Sequence, residues 1–342
     1  MKKKICNSIL ETIGDTPLVK LNSITAGTNL TILTKFEFFS PSGSLKDRIL
    51  LRIIESAEKK GKLKKGMSII EGTTGNTGIS TSMIGAVKGY KVVICMPSGM
   101  SEERKKVMRA YGAEIIETPG AESDVDLVLK QVKKIIRQDP SKYFFINQFS
   151  NKENSIAHYT TTAKEIWKQT NGEFDAFIVS QGTGGTISGV AKLLKKKKPS
   201  IKIYAIEPAE CPLLSQRKWG THRIEGIGDG FIPRVLDVSL LDGIVTTTSE
   251  ESIEMAKRLA KEEGIFCGIS SGCNIAGALK LYKKHPELKT IVTMICDNGF
   301  RYFSTALCGE EKELEIPERE HPIDAHTQKN LDKYQNKWDI IN

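Results

Sequence analysis

The chain has 342 residues, 39% of them hydrophobic and 27% charged, which fits a globular protein with a sizeable core and about two domains. Its net charge of +9 comes from lysines spread over helix faces, with no aromatic-basic motif beside them, so nucleic acid is not an expected partner. No apolar run is long enough to span a membrane, and the basic start Met1-Lys2-Lys3-Lys4 leads into no apolar signal core.

Seven cysteines, with no Cys-x-x-Cys pair, predict mostly buried free thiols in a reducing cytoplasm. The five histidines, His158 among them, lack metal-ligand spacing, so no catalytic metal is expected.

In chain order, Thr16-Pro17-Leu18-Val19 and residues 30–35 read as two strands. A small-residue turn, Ser42-Gly43-Ser44-Leu45-Lys46-Asp47-Arg48, then runs into a predicted helix over 48–60. Strand-like runs follow at 68–70, 91–96, 114–118, 143–147, 176–180, 201–207 and 290–296. Helical periodicity lies between them at 101–111, 124–137, 154–169 and 250–263. This rhythm argues for parallel α/β layers. The four lysines at 195–198 end another helix before Pro199, where cations complement the dipole. The polar tail is expected to be helical over 325–338 and to cover either a surface or a partner subunit.

Three segments carry chemistry. Lys46 stands at a helix start, where the positive end of the dipole disfavours the ammonium form and helps expose an amine for Schiff-base chemistry. Gly182-Thr183-Gly184-Gly185-Thr186 joins a strand to a helix, so its backbone N–H groups, helix dipole and hydroxyls form a phosphate cradle. Ile187 stands where a dinucleotide fingerprint needs glycine, and no Lys-Ser/Thr pair follows, so neither a Rossmann loop nor a P-loop is present. Thr73-Thr74-Gly75-Asn76-Thr77-Gly78 also opens a helix, and its hydroxyls and N–H groups suit a carboxylate.

With Gly268-Ile269-Ser270-Ser271-Gly272, these motifs fall in the order and spacing of the cysteine synthase and cystathionine β-synthase family, which the chain resembles over about residues 8–310. The resemblance extends to Gly14-Asp15-Thr16-Pro17-Leu18-Val19, Asn147-Gln148-Phe149, Glu165-Ile166-Trp167, Gly299 and Arg301-Tyr302. It implies two three-layer α/β domains of pyridoxal-phosphate fold type II, with the cofactor in the cleft between them. A small mobile domain would span 43–152, a large one 1–42 plus 153–310, and a tail 311–342. A homodimer is also implied.

By the same resemblance Lys46 would form the Schiff base and take the α-proton, and Asn76 would bind the cofactor's phenolic oxygen. Gly182, Thr183, Gly184, Gly185 and Thr186 would hold the phosphate, and Ser270 would meet the pyridine nitrogen. Thr73, Thr74, Asn76, Thr77 and Gln148 would hold the substrate carboxylate. A neutral hydroxyl at Ser270 does not keep the pyridine protonated, which weakens the electron sink and favours prompt β-elimination to an aminoacrylate.

The chain departs from the family pattern at several points. It shows neither a haem-binding extension nor a regulatory domain, so a vertebrate-type cystathionine β-synthase is not expected. Gly72 and Thr74 replace Pro and Ser, and Cys296-Asp297-Asn298-Gly299-Phe300 replaces a Pro-x-Ser-Gly-Glu pattern. Asp229, in Gly226-Ile227-Gly228-Asp229-Gly230-Phe231, takes the place of a small apolar residue. A carboxylate there does little for sulfide but could serve water, which needs a general base. The expected activity is therefore release of hydrogen sulfide from L-cysteine with water as nucleophile, giving L-serine. Addition of sulfide to O-acetylserine is the alternative within the family, and a non-catalytic binding protein the alternative outside enzymes.

Overall fold

The computed structural model describes residues 5–120, 124–309 and 320–342. The basic start and the first part of the tail, 311–319, lie outside the described residues.

The chain runs β1 (Leu18–Lys20), β2 (Thr31–Phe36), α1 (Lys46–Lys59), β3 (Ser68–Gly72), α2 (Asn76–Lys88), β4 (Lys91–Pro97), α3 (Glu102–Ala110), β5 (Glu114–Thr118), α4 (Val125–Gln138) and β6 (Tyr143–Phe145). It continues through α5 (Glu153–Thr160), α6 (Thr162–Thr170), β7 (Ala176–Ser180), α7 (Gly185–Lys197), β8 (Lys202–Pro208), α8 (Leu213–Gln216), β9 (Gly243–Thr247), α9 (Ser249–Glu263), α10 (Ile269–Lys284), β10 (Thr290–Ile295), α11 (Ala325–Tyr334) and β11 (Asp339–Ile341).

Two sheets result. Four strands pair in the order β5-β4-β3-β6, and seven in the order β1-β2-β10-β7-β8-β9-β11. Among the described residues every strand pairing is parallel except β1 with β2, in keeping with the expected parallel α/β layers. A parallel strand covered on both faces reads as a continuous apolar run, and β3 and β9 are buried at every residue.

The expected helix over 154–169 is two helices. Thr161 leaves helical geometry at φ −121° and ψ −83° and separates α5 from α6. The tail is helical only to Tyr334; after a short 3-10 turn it becomes β11, which pairs in parallel with β9. Leu331 and Trp338 are buried in the core, so the tail forms part of the large sheet's own packing. β9 itself was not foreseen: despite the Asp242-Gly243 turn signal before it, only Ile244 and Val245 of its five residues are strongly apolar.

α1 is tied to elements around the large sheet by buried charge. Arg48 pairs with Glu37 and with Glu165 of α6, each at 2.6 Å, and Lys35 of β2 reaches Glu165 at 2.8 Å. The two carboxylates against two cations leave no net charge in a largely buried cluster, which makes such burial tolerable. Glu165 is accordingly held down at about 2 by Arg48 and Lys35, against the effect of its burial.

Candidate active site

Both sheets present their strand ends to one cavity. Lys46, Thr73, Thr74, Asn76, Thr77, Gln148, Gly182, Thr183, Gly184, Thr186, Asp229 and Ser270 all line it. Of the residues singled out in the sequence, only Gly185 stands behind the wall: a Cβ there would collide with Asn154 Oδ1. Four helices begin at this cavity, α1 at Lys46, α2 at Asn76, α7 at Gly185 and α10 at Ile269. Their N-terminal partial charges make it a place for anions.

At α7 the cradle depends on Gly184, whose φ of +76° is a left-handed conformation that glycine adopts without steric cost. Two residues behind it had no signal in the sequence. Asn154 donates to Thr183 Oγ1 at 3.1 Å and to the Gln148 carbonyl at 2.9 Å. His158, one turn further along α5, sits between Thr162 Oγ1 at 2.9 Å and Thr186 Oγ1 at 3.2 Å. Burial and the nearby Arg48 and Lys46 charges push the His158 ring down to about 3, so it stays neutral and orients Thr186. The i, i+4 spacing of Asn154 and His158 was visible, but nothing in it pointed at the phosphate loop.

The β3–α2 turn is stitched by side chains. Thr77 Oγ1 donates to Gln148 Oε1 at 2.6 Å, and Gln148 Nε2 donates to the Gly72 carbonyl at 3.1 Å. Glu71 accepts from the Asn147 N–H at 2.7 Å and so fixes the bend that presents Gln148. Asn76 is held by the segment that departs from the family pattern. Its Nδ2 donates to Asp297 Oδ2 at 2.7 Å, an oxygen that also accepts from Tyr302 Oη at 2.7 Å, while its Oδ1 accepts from Arg301. One amide hydrogen of Asn76 stays available for the cavity.

Asp229 faces Lys46. It is buried, and desolvation pushes its carboxyl up to about 7, with the Lys46 charge pulling it back. The loop that aims it needs its glycines: Gly228 and Gly230 have φ of +70° and +77°, and a Cβ on Gly228 would press on His222. The alternating Gly-Ile-Gly-Asp-Gly run is thus the local reason that this carboxylate enters the cavity instead of capping a turn.

A family model described as pyridoxal-phosphate dependent enzyme matches residues 9–297. The chain belongs to this family. Its cysteine synthase branch is shown by a cysteine synthase of Staphylococcus aureus, 44% identical over 308 residues that cover 90% of this chain and 98% of the relative. Among solved structures, a hydrogen sulfide-producing enzyme from Fusobacterium nucleatum superposes with a TM-score of 0.84 at 45% identity, covering 87% of this chain and all of the other. A cysteine synthase from Entamoeba histolytica does so with 0.85 at 42% identity, covering 98% and 97%. The chain is therefore a pyridoxal-phosphate-dependent enzyme of β-replacement or β-elimination. The cavity suits that cofactor. Glycines at 182 and 184 bring the backbone of this loop to the cavity wall beside the Thr183 and Thr186 side chains, a cradle of the size and polarity a phosphate needs, and an amine stands in the same cavity at Lys46. A neutral hydroxyl, Ser270, stands there at the start of α10.

Proposed function

We propose that the enzyme converts L-cysteine and water to hydrogen sulfide and L-serine. One observation carries this reading: a buried carboxylate, Asp229, shares the cavity with Lys46, and its burial pushes the carboxyl up to about 7. Bound pyridoxal phosphate supplies an electron sink that makes the substrate α-proton acidic and the β-substituent expellable.

The chain's own residues do the rest. The α7 cradle, 182–186, holds the phosphate, Asn76 the phenolic oxygen, and Ser270 the ring nitrogen. Thr73, Thr74, Asn76, Thr77 and Gln148 receive the substrate carboxylate at the start of α2. Lys46 Nζ takes the α-proton. The Cβ–S bond breaks and the sulfur leaves as hydrogen sulfide once protonated. Asp229 then takes a proton from water as the oxygen bonds to Cβ, and Lys46 Nζ returns the proton to Cα. A base titrating near 7 is half ionised at neutral pH, a useful compromise between availability and strength.

In the same reading, 43–152 is a small mobile unit that closes on a larger one of 1–42 plus 153–310, the chain works in the cytoplasm, and it assembles as a homodimer. Light scattering of the purified chain gives the assembly directly. The relationship to cysteine synthases favours a second reading, sulfide addition to O-acetylserine. Incubation with cysteine alone, with product analysis, separates the two. Serine with stoichiometric sulfide is expected; pyruvate and ammonia without serine, or turnover only with O-acetylserine and sulfide, overturns the first reading.

A further inference from the structure

Arg104 of α3 is 1% exposed, an uncommon state for an arginine, and it lies between the two loops on which the proposed chemistry depends. On one side it packs against the turn that opens α2: a Cβ on Gly75 would collide with Arg104 Cδ. On the other it forms an ion pair with Glu225, four residues before Asp229 in the same loop. Its guanidinium lies over the Tyr302 ring, 4.4 Å from the centroid, and that ring's hydroxyl binds the Asp297 oxygen that also holds Asn76. Ser101, at the start of α3, donates to the Arg301 carbonyl at 2.9 Å and accepts from Arg104 at 3.3 Å.

Each contact removes a way for the guanidinium to move alone. The planar group is stacked on the Tyr302 ring, its charge is paired with Glu225, and its stem packs against Gly75. A shift of the turn at 73–77 therefore moves Arg104, and Arg104 carries Glu225 with it. We propose that Arg104 is a positioning residue that couples the carboxylate-binding turn at 73–77 to the 225–230 loop, so that a seated substrate carboxylate fixes Asp229 in the cavity. A water molecule is then activated only behind a bound amino acid. The inference rests on the Asp229 reading for its benefit to catalysis, but the coupling itself is a property of the two loops.

Hydrogen exchange on the holoenzyme tests it without turnover. L-alanine is the probe, because it offers the α-carboxylate and amine with no leaving group. In the natural chain, saturating L-alanine is expected to slow amide exchange at both 73–78 and 225–230, by about tenfold at the second loop. In Arg104→Gln the first loop keeps its protection and the second loses it. Glu225→Gln, which leaves Arg104 in place but removes the opposite charge, gives the same pattern and serves if the first variant does not fold. With cysteine, both variants shift products from serine toward pyruvate while KM changes little. Equal protection of 225–230 in the natural chain and either variant overturns the proposal, as does absence of that protection in the natural chain. If the natural chain makes no serine from cysteine, the Asp229 reading falls while the exchange result still decides the coupling.

Discussion

Asp229 and Lys46 divide the proposed chemistry between them. Lys46 serves every route through the cavity, since each begins with loss of the α-proton. Asp229 matters only if water is the nucleophile. Asp229→Asn keeps shape and removes the base, so serine formation from cysteine should fall by about 10²–10⁴-fold. Exchange of the α-proton into deuterated water, followed by NMR on recovered cysteine, should continue. A variant making serine at the natural rate would take Asp229 out of the mechanism. The pH dependence has a defined sign. The ionised form is the active base, and burial raises its titration to about 7. Serine formation should rise about tenfold per pH unit below 7 and level off above it. A flat profile between pH 5 and 8 would mean that another group governs the step.

The same comparison shows what could be read residue by residue. The 182–186 loop and the Asn76 turn, both of which reach the cavity, were singled out because glycine, hydroxyl and helix start coincide in one short segment, whereas Ser270 was reached only through the family resemblance. His158, Asn154 and Arg104 were not. Their roles arise from side chains meeting across elements, which local spacing does not encode.

At the scale of elements, strongly apolar runs were readable and mixed or very short ones were not. β7 has the expected bounds of 176–180, because an apolar run between turns has few alternatives. β11 has only three residues, too few for a pattern, and β9, as long as β7, has only Ile244 and Val245 as large apolar residues, so their strand character comes from pairing with each other and with β8. The tail is the clearest case. Its polar composition suggested a cover, yet α11 buries Leu331 completely and the loop after Asp229 is tied to it, with the Ile232 N–H donating to Thr327 Oγ1 at 2.9 Å. Arg217 pairs with Asp332 at 2.6 Å, and Gln335 Nε2 donates to the Leu214 and Ser215 carbonyls, both at 2.9 Å. Leu331→Ala leaves a void in that core and should cost about 2–5 kcal/mol in urea unfolding. A loss below about 0.5 kcal/mol, the usual range for surface changes, would show that the tail is only loosely held.

Over the whole molecule, the cavity is where two separate sheets lend helix ends to one set of anionic groups. α7 and α10 belong to the seven-stranded sheet, while α2 follows β3 of the four-stranded one. Each helix start contributes roughly half a unit of positive charge, so an unfilled cavity gathers like charges that repel. In the proposed reading, a cofactor with its phosphate at α7 and its phenolic oxygen at Asn76 would neutralise both walls at once and cross-link them. Binding only to the folded chain stabilises it by RT ln(1 + [L]/Kd), about 2.7 kcal/mol at a hundredfold excess over Kd. Stripping the cofactor should therefore lower the calorimetric Tm, and adding pyridoxal phosphate should restore it. Inorganic phosphate fills only the α7 cradle, so it should restore a part and no more. The Lys46→Ala chain, which lacks the covalent anchor but keeps both walls, should still show a rise with pyridoxal phosphate that exceeds the rise with phosphate. If phosphate alone recovered the full Tm, the contribution would belong to one loop, and the wall carrying Asn76 would have no part in holding the molecule together.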